Sequence, residues 1–272
     1  MEIYNSTVKN EDFPKHYEFE NFFDREKNIK LLENYRHFSL YLVLIYFCTI
    51  YWLKNYMKTR PAFNLKPQLA VWNLILAIFS IGASLRLLPT QLHALGYGYA
   101  TSVCNNSLFL NSQATIFWGS LYVSSKVLEL GDTVFLILRK KKLIFLHWYH
   151  HAVTMTMVFY LADRATAIAH WFTIMNVIVH SFMYTYYFLM TLEFKLPRIL
   201  AICLTSCQVL QMIIGMVVCF SSFLLYMIGV KCDFPVFMAN VCLFLYAVYF
   251  YLFTRLFYDL YISKPKAAKK IQ

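Results

Sequence analysis

The chain has 272 residues, of which 60% are hydrophobic, 19% aromatic and only 14% charged. Soluble domains carry about 25% charged residues, so this composition excludes an ordinary soluble fold and indicates an all-α polytopic membrane protein. The formal net charge of +11 is dispersed over short loops and forms no single basic face. It fits membrane-surface contacts, and nucleic acid is not an expected partner.

Crossing about 30 Å of hydrocarbon takes about 20 apolar residues per helix. Residues 1–36 mix acidic and basic side chains, lack the apolar core of a signal peptide, and read as a polar lumenal segment. Seven transmembrane helices are expected after it, at 38–57, 69–88, 114–138, 143–161, 165–192, 199–228 and 235–262. They form a membrane domain over 37–262, followed by a basic tail over 263–272.

Short cytosolic loops are enriched in Lys and Arg. The first loop has Lys54, Lys58, Arg60 and Lys66; the third has Arg139, Lys140, Lys141 and Lys142; the fifth has Lys195 and Arg198. The alternate loops are nearly bare, with Arg164 and Lys231 as exceptions. The expected topology therefore has a lumenal N-terminus and a cytosolic C-terminus. The glycosylation sequons at Asn5 and Asn105 both fall on the lumenal side. The terminal Lys269-Lys270-Ile271-Gln272 resembles the dilysine retrieval signal of endoplasmic-reticulum membrane proteins, which makes that membrane the expected location. Cys104 and Cys232 lie in lumenal loops, where an oxidising compartment allows a disulfide. Cys48, Cys203, Cys207, Cys219 and Cys242 lie in apolar helices and read as small buried hydrophobes.

Ionisable groups at membrane depth mark functional sites by default. The third helix carries Lys126, Glu129, Asp132 and Thr133 close to one stripe. That stripe serves either an ion-pair network between helices or the chemistry itself, and the two are compatible. The fourth helix opens behind a basic cluster and carries His147, His150 and His151, spaced i, i+3 and i+4 on one face. The fifth carries Asn176, His180, Tyr184 and Tyr187 along one stripe. His170, near its lumenal end, reads as interfacial, and His16, His37 and His93 are given no role. The sixth carries Thr205, Gln208 and Gln211, whose amides either hold helices together or polarise a carbonyl.

The His-x-x-His-His pattern also occurs in membrane di-iron desaturases and hydroxylases, which gather about eight histidines in three boxes. Here only His147, His150, His151 and His180 can converge, and no acid on the histidine helix completes an iron site. No metal is therefore expected. A neutral imidazole, titrating near ~6.5, can instead attack a thioester or remove a proton. Apolar helices to enclose an alkyl chain and basic cytosolic loops to hold a phosphorylated carrier together suit an acyl-coenzyme A. A seven-helix receptor shares the topology but needs no histidine trio, and a transporter lacks support from any internal repeat.

Four motifs, Lys126-x-x-Glu129-Leu-x-Asp132-Thr133, His147-x-x-His150-His151, His180-x-x-Met183-Tyr184-x-Tyr186-Tyr187 and Thr205-x-x-Gln208-x-x-Gln211, resemble in order and spacing the signatures of the very-long-chain fatty acid elongases. The resemblance covers the whole membrane region. It implies a 3-ketoacyl-CoA synthase with six of its seven helices in a barrel around an acyl tunnel. The implied reaction is decarboxylative condensation of acyl-CoA with malonyl-CoA, with no cofactor. His150 is expected to accept the acyl group, with His147 and His151 orienting or deprotonating it. His180, Asn176 and Gln211 would stabilise negative charge, Glu129 and Asp132 would fix imidazole tautomers, and Lys126 would balance them. Lys142, Lys195, Arg198, Arg255 and Lys264 are candidate contacts for coenzyme A phosphates, although each also serves the positive-inside pattern. Expected partners are the two CoA substrates, the membrane, the ketoacyl-CoA reductase, dehydratase and enoyl reductase of an elongation cycle, and a second copy of the chain. The histidine-box wording resembles elongases of saturated, monounsaturated or branched chains.

Overall fold

The structure is a computed structural model that describes residues 15–162 and 166–263. Asn5, Lys264 and the tail 264–272 lie outside the described residues. Among the described residues, α1 (Arg25–Tyr35) precedes α2 (Phe38–Tyr56) and α3 (Lys66–Gly96); two short helices, α4 (Tyr99–Cys104) and α5 (Ser107–Leu110), then lead to α6 (Gln113–Leu128). The chain continues through α7 (Gly131–Leu138), α8 (Phe145–Ala162), α9 (Ala167–Thr191), α10 (Arg198–Met227) and α11 (Val236–Phe257).

Local chemistry sets these boundaries. Asp24, Ser112 and Thr166 accept hydrogen bonds from Lys27 N, Thr115 N and Ala169 N and so cap α1, α6 and α9. Pro197 and Pro235 occupy the cap positions of α10 and α11, with backbone angles that no preceding helix could continue through. Among the described residues, four stretches are long and apolar enough to span a membrane: Phe38–Tyr56, Lys66–Gly96, Arg198–Met227 and Val236–Ile262. The helices α6, α7 and α8, of 16, 8 and 18 residues, are shorter than any of these.

Two expected segments differ from what forms. The second, expected at 69–88, runs as α3 from Lys66 to Gly96 and passes through Pro89 without ending. The third, expected as one helix over 114–138, breaks between α6 and α7. There Leu130 N, Asp132 N and Thr133 N each bond to the carbonyl three residues back at 3.2 Å, giving a tight turn. Gly131 permits it, because a Cβ at that position would sit 2.7 Å from the Trp72 ring. The break re-aims Glu129, Asp132 and Thr133 in different directions.

The packing partners close a ring: α3 against α6, α6 against α8, α8 against α11, α11 against α10, α10 against α9, and α9 back against α3. α2 stands outside, touching α7 and α8, with Leu44, Ile45, Tyr51 and Trp52 exposed on its outer face. Cys104 and Cys232 are joined in a disulfide, and Asp233 N bonds to Cys104 O at 2.8 Å beside it. This tie adjoins a buried cluster that includes Val103, Ile168, Phe172 and Val218. Of the five apolar-segment cysteines, only Cys219 and Cys242 are buried; Cys48, Cys203 and Cys207 face outward.

Candidate active site

α8 carries the histidine trio into the ring. The His147 and His151 ring centroids are 4.5 Å apart, and those of His150 and His151 are 5.7 Å apart. His147 Nε2 lies 3.0 Å from Thr133 Oγ1, which in turn meets Tyr46 OH at 2.6 Å, so α2 and α7 together orient this imidazole. His150 points the other way, with its ring 5.1 Å from that of Tyr249 and 6.1 Å from that of Phe253. Tyr249 is itself held by Thr154, whose hydroxyl lies 3.1 Å from the Tyr249 oxygen. Among the described residues neither ring nitrogen of His150 or His151 has a hydrogen-bond partner.

A second cluster joins α6 and α9 through a closed ring of polar contacts. Lys126 Nζ donates to Glu129 Oε1 at 2.6 Å and to Asn176 Oδ1 at 2.7 Å. Because a lysine ammonium can only donate, Asn176 must present its oxygen to Lys126 and its nitrogen to His180 Nε2, 3.1 Å away. His180 Nε2 is then the acceptor, and the proton sits on Nδ1, which faces Glu129 Oε1 at 3.6 Å. Lys126, Glu129, Asn176 and His180 are all buried, and Lys126 also lies 4.5 Å above the Tyr122 ring. Buried charges persist when they neutralise and hydrogen-bond one another, as Lys126 and Glu129 do here.

His150 of the first cluster and Asn176 of the second meet at an apolar cavity. His150, Asn176, Gln211 and Tyr249 line it at one end, and Leu161, Ala162, Thr166, Phe109 and His170 at the other. His150 alone of the trio reaches the cavity. From His150 to Ala162, α8 rises about 18 Å over twelve residues, a length that about fourteen extended methylenes would fill at about 1.25 Å each.

The structure separates the sequence candidates into two groups. Lys126, Glu129, Asn176, His180, Gln211 and the trio come together. Asp132 does not touch an imidazole: its oxygens accept from Trp72 Nε1 at 2.6 Å and Tyr184 OH at 2.9 Å, so it ties α7 to α3 and α9. Tyr184 is fully buried in that tie, whereas Tyr187 is 44% exposed and lies outside the cluster, about 16 Å of helical rise along α9 from Asn176. Gln208 Nε2 contacts Met183 Sδ at 3.5 Å and does not line the cavity, and Thr205 bonds to Ala201 O.

The described basic candidates do not line the cavity. Lys142, Lys195, Arg198 and Arg255 are exposed, and Arg255 pairs with Asp259 at 3.2 Å. A separate basic hollow holds Lys54, Lys58, Lys140 and Lys141 where α2 ends beside the α7–α8 loop. His170, read from sequence as interfacial, is buried against Phe109 at 4.2 Å between ring centroids, with Nδ1 2.7 Å from Gln91 Oε1. Sequence reasoning missed Tyr46 and Tyr249, each one of several tyrosines on an apolar helix with nothing in the pattern to single it out. Among the described residues, no three His, Cys, Asp or Glu side chains are arranged to hold a metal ion.

Residues 31–269 match the family described as ELO: GNS1/SUR4 family. The chain is 39% identical over 251 residues to very long chain fatty acid elongase 6 of Drosophila melanogaster, covering 91% of this chain and 79% of that protein. It is 37% identical over 257 residues to very long chain fatty acid elongase 6 of Gallus gallus, covering 94% and 96%. Very long chain fatty acid elongase 3 of Homo sapiens is 37% identical over 255 residues, covering 92% and 93%. The chain belongs to the ELO family of fatty acid elongases. It is thus a multi-pass membrane enzyme of fatty acid elongation. Within this elongase, the matched span takes in every member of the Lys126 ring and the trio, while most of α1 precedes it.

Proposed function

We propose that the chain is a 3-ketoacyl-CoA synthase that condenses a long-chain acyl-CoA with malonyl-CoA, using imidazole chemistry alone. The reading rests on one observation: His150 is the only member of the trio that lines the cavity, and its ring nitrogens are uncommitted. The cavity would hold the acyl chain with the thioester carbonyl at His150. A ring nitrogen attacks that carbon, the carbon–sulfur bond breaks, and coenzyme A leaves as its thiol after taking a proton. Malonyl-CoA then loses CO2, and the resulting carbanion attacks the acyl-imidazole carbonyl. The carbon–nitrogen bond breaks and His150 is restored. The balance is acyl-CoA, malonyl-CoA and one proton in, and 3-ketoacyl-CoA, CO2 and coenzyme A out.

Asn176 and Gln211, at the same end of the cavity, would donate N–H groups to oxygen as it gains charge. His180 has both nitrogens engaged, so its part is to hold Asn176; Glu129 and Lys126 complete that hold. His147, fixed by Thr133, would buttress His151 and through it His150. No Cys serves as acyl carrier in this scheme. Topology in the endoplasmic reticulum follows the loop charges, with six helices around the chain, a lumenal N-terminus and a cytosolic C-terminus. Coenzyme A phosphates would meet cytosolic lysines and arginines, and the ketoacyl product would pass to the reductases and dehydratase of an elongation cycle.

The test is release of labelled CO2 from carboxyl-labelled malonyl-CoA by the purified full chain in lipid. Wild type should release it only when acyl-CoA is present, equally with and without a metal chelator, and His150→Ala should lose at least about 10³-fold. Unchanged release by His150→Ala, or abolition by chelator, would refute the scheme.

A further inference from the structure

The N-terminal segment reads from sequence as a polar appendage, yet it is fastened to the ring at several points. The Glu20 carboxylate accepts from Arg86 Nε and Nη2 and from Trp118 Nε1, all at 2.8 Å, and is fully buried. Gln113 Nε2 donates to the Glu20 and Phe23 carbonyls at 2.8 and 3.0 Å. Arg25 Nη1 reaches Asn111 Oδ1 at 3.0 Å, and just past α1 His37 Nδ1 lies 2.8 Å from Tyr160 OH. An isolated helix of eleven residues is marginal in water, so α1 owes its order to this docking.

Docking directs one face of α1 inward. Asn28 is buried and donates from Nδ2 to Ser120 Oγ at 2.6 Å on α6. Asn28, Ile29 and Leu32 line the cavity, while Leu31 and Tyr35 do not and are 52% and 55% exposed. The pins at Ser120 and Tyr160 place α1 across the seam between α6 and α8. Tyr160 is ten residues along α8 from His150, about 15 Å by helical rise. Asn28 and Ile29 also precede the span matched to the family.

We propose that α1 is a wall of the acyl cavity at its end remote from His150, and that Ile29 and Leu32 determine which acyl chains fit there. The proposal rests on the acyl-cavity reading above. Apolar side chains in van der Waals contact with the far methylenes favour chains that reach them and reject chains that overrun them. Bulk added at Ile29 or Leu32 shortens the space, and bulk removed lengthens it.

The experiment compares condensation rates of the full-length enzyme in lipid vesicles over saturated acyl-CoAs from about twelve to about twenty carbons. Ile29→Trp and Leu32→Trp should lower the ratio of long-chain to short-chain kcat/KM by at least about five-fold, and Ile29→Ala should raise it. Leu31→Trp, at an exposed position of the same helix that does not line the cavity, should leave the ratio unchanged. If Ile29→Trp fails to fold, the direction of the Ile29→Ala shift carries the result. An unshifted ratio in Ile29→Ala and in whichever Trp variants fold, or an equal shift in Leu31→Trp, overturns the proposal. A wild-type enzyme inactive on every chain length instead overturns the condensation reading beneath it.

Discussion

The single residues divide by what their polar atoms already do. Asn176 is oriented by Lys126 and spends one N–H on His180, which leaves its second N–H and the Gln211 amide at the His150 end of the cavity. Removing one preorganised donor to a developing oxyanion costs about 10²–10³ in kcat, so Asn176→Ala should lose about that much. His180→Ala should lose part of it with little change in KM, because it acts through Asn176. Steady-state kinetics on both variants checks this, and a loss confined to KM would place Asn176 in binding instead. That His150, Asn176 and Gln211 are candidates for one site was legible because polar side chains inside apolar helices stand out by cost alone, and they do line one cavity. The divergence of Asp132 from Thr133 was not, since it depends on a helix break that periodicity does not show.

At the scale of elements, the break between α6 and α7 and the docking of the N-terminal segment are the two features that sequence patterning left open. Trp72 packs where a side chain at position 131 would stand, so the turn requires glycine. Gly131→Ala should destabilise the fold by about 1–3 kcal/mol through overpacking, read as a lowered Tm in detergent. Burial alone would raise the Glu20 carboxyl, but hydrogen bonds from Arg86, the Tyr17 backbone and Trp118 outweigh it and hold it below its ordinary value of 4.5. A depressed folded value means that the contribution of Glu20 is complete above about 4.5 and is lost as pH falls through the lowered value. At neutral pH, Glu20→Gln should speed hydrogen exchange in α1, and acidification of the wild type should do the same. Equal exchange in the variant and the wild type at pH 7 would show that the anchor is dispensable. Neither the anchor nor the wall could be read from residues 15–35, whose polarity resembles that of any exposed lead-in.

For the whole molecule, apolar lengths located helices at each expected segment, the third of them broken in two, and the expected disulfide joins Cys104 at the end of α4 to Cys232 in the loop before α11. A closure linking residues 128 apart in sequence restricts the unfolded chain, and its loss should cost about 2–5 kcal/mol. Cys104→Ser with Cys232→Ser should therefore unfold at lower temperature than the wild type, while a reductant should leave the variant's Tm unmoved. The ring of helices and its inner cavity could not be derived from one sequence, because which apolar face meets which neighbour is a matter of shape. Condensation by imidazole chemistry requires the acyl group to be carried by His150. Mass analysis of the protein after exposure to acyl-CoA without malonyl-CoA, followed by rapid quenching and peptide mapping, tests it directly. The predicted result is one acyl mass added on the peptide containing His150, removed when malonyl-CoA is supplied and absent from His150→Ala. A cysteine-bound acyl group, or no adduct while condensation proceeds at full rate, would contradict it.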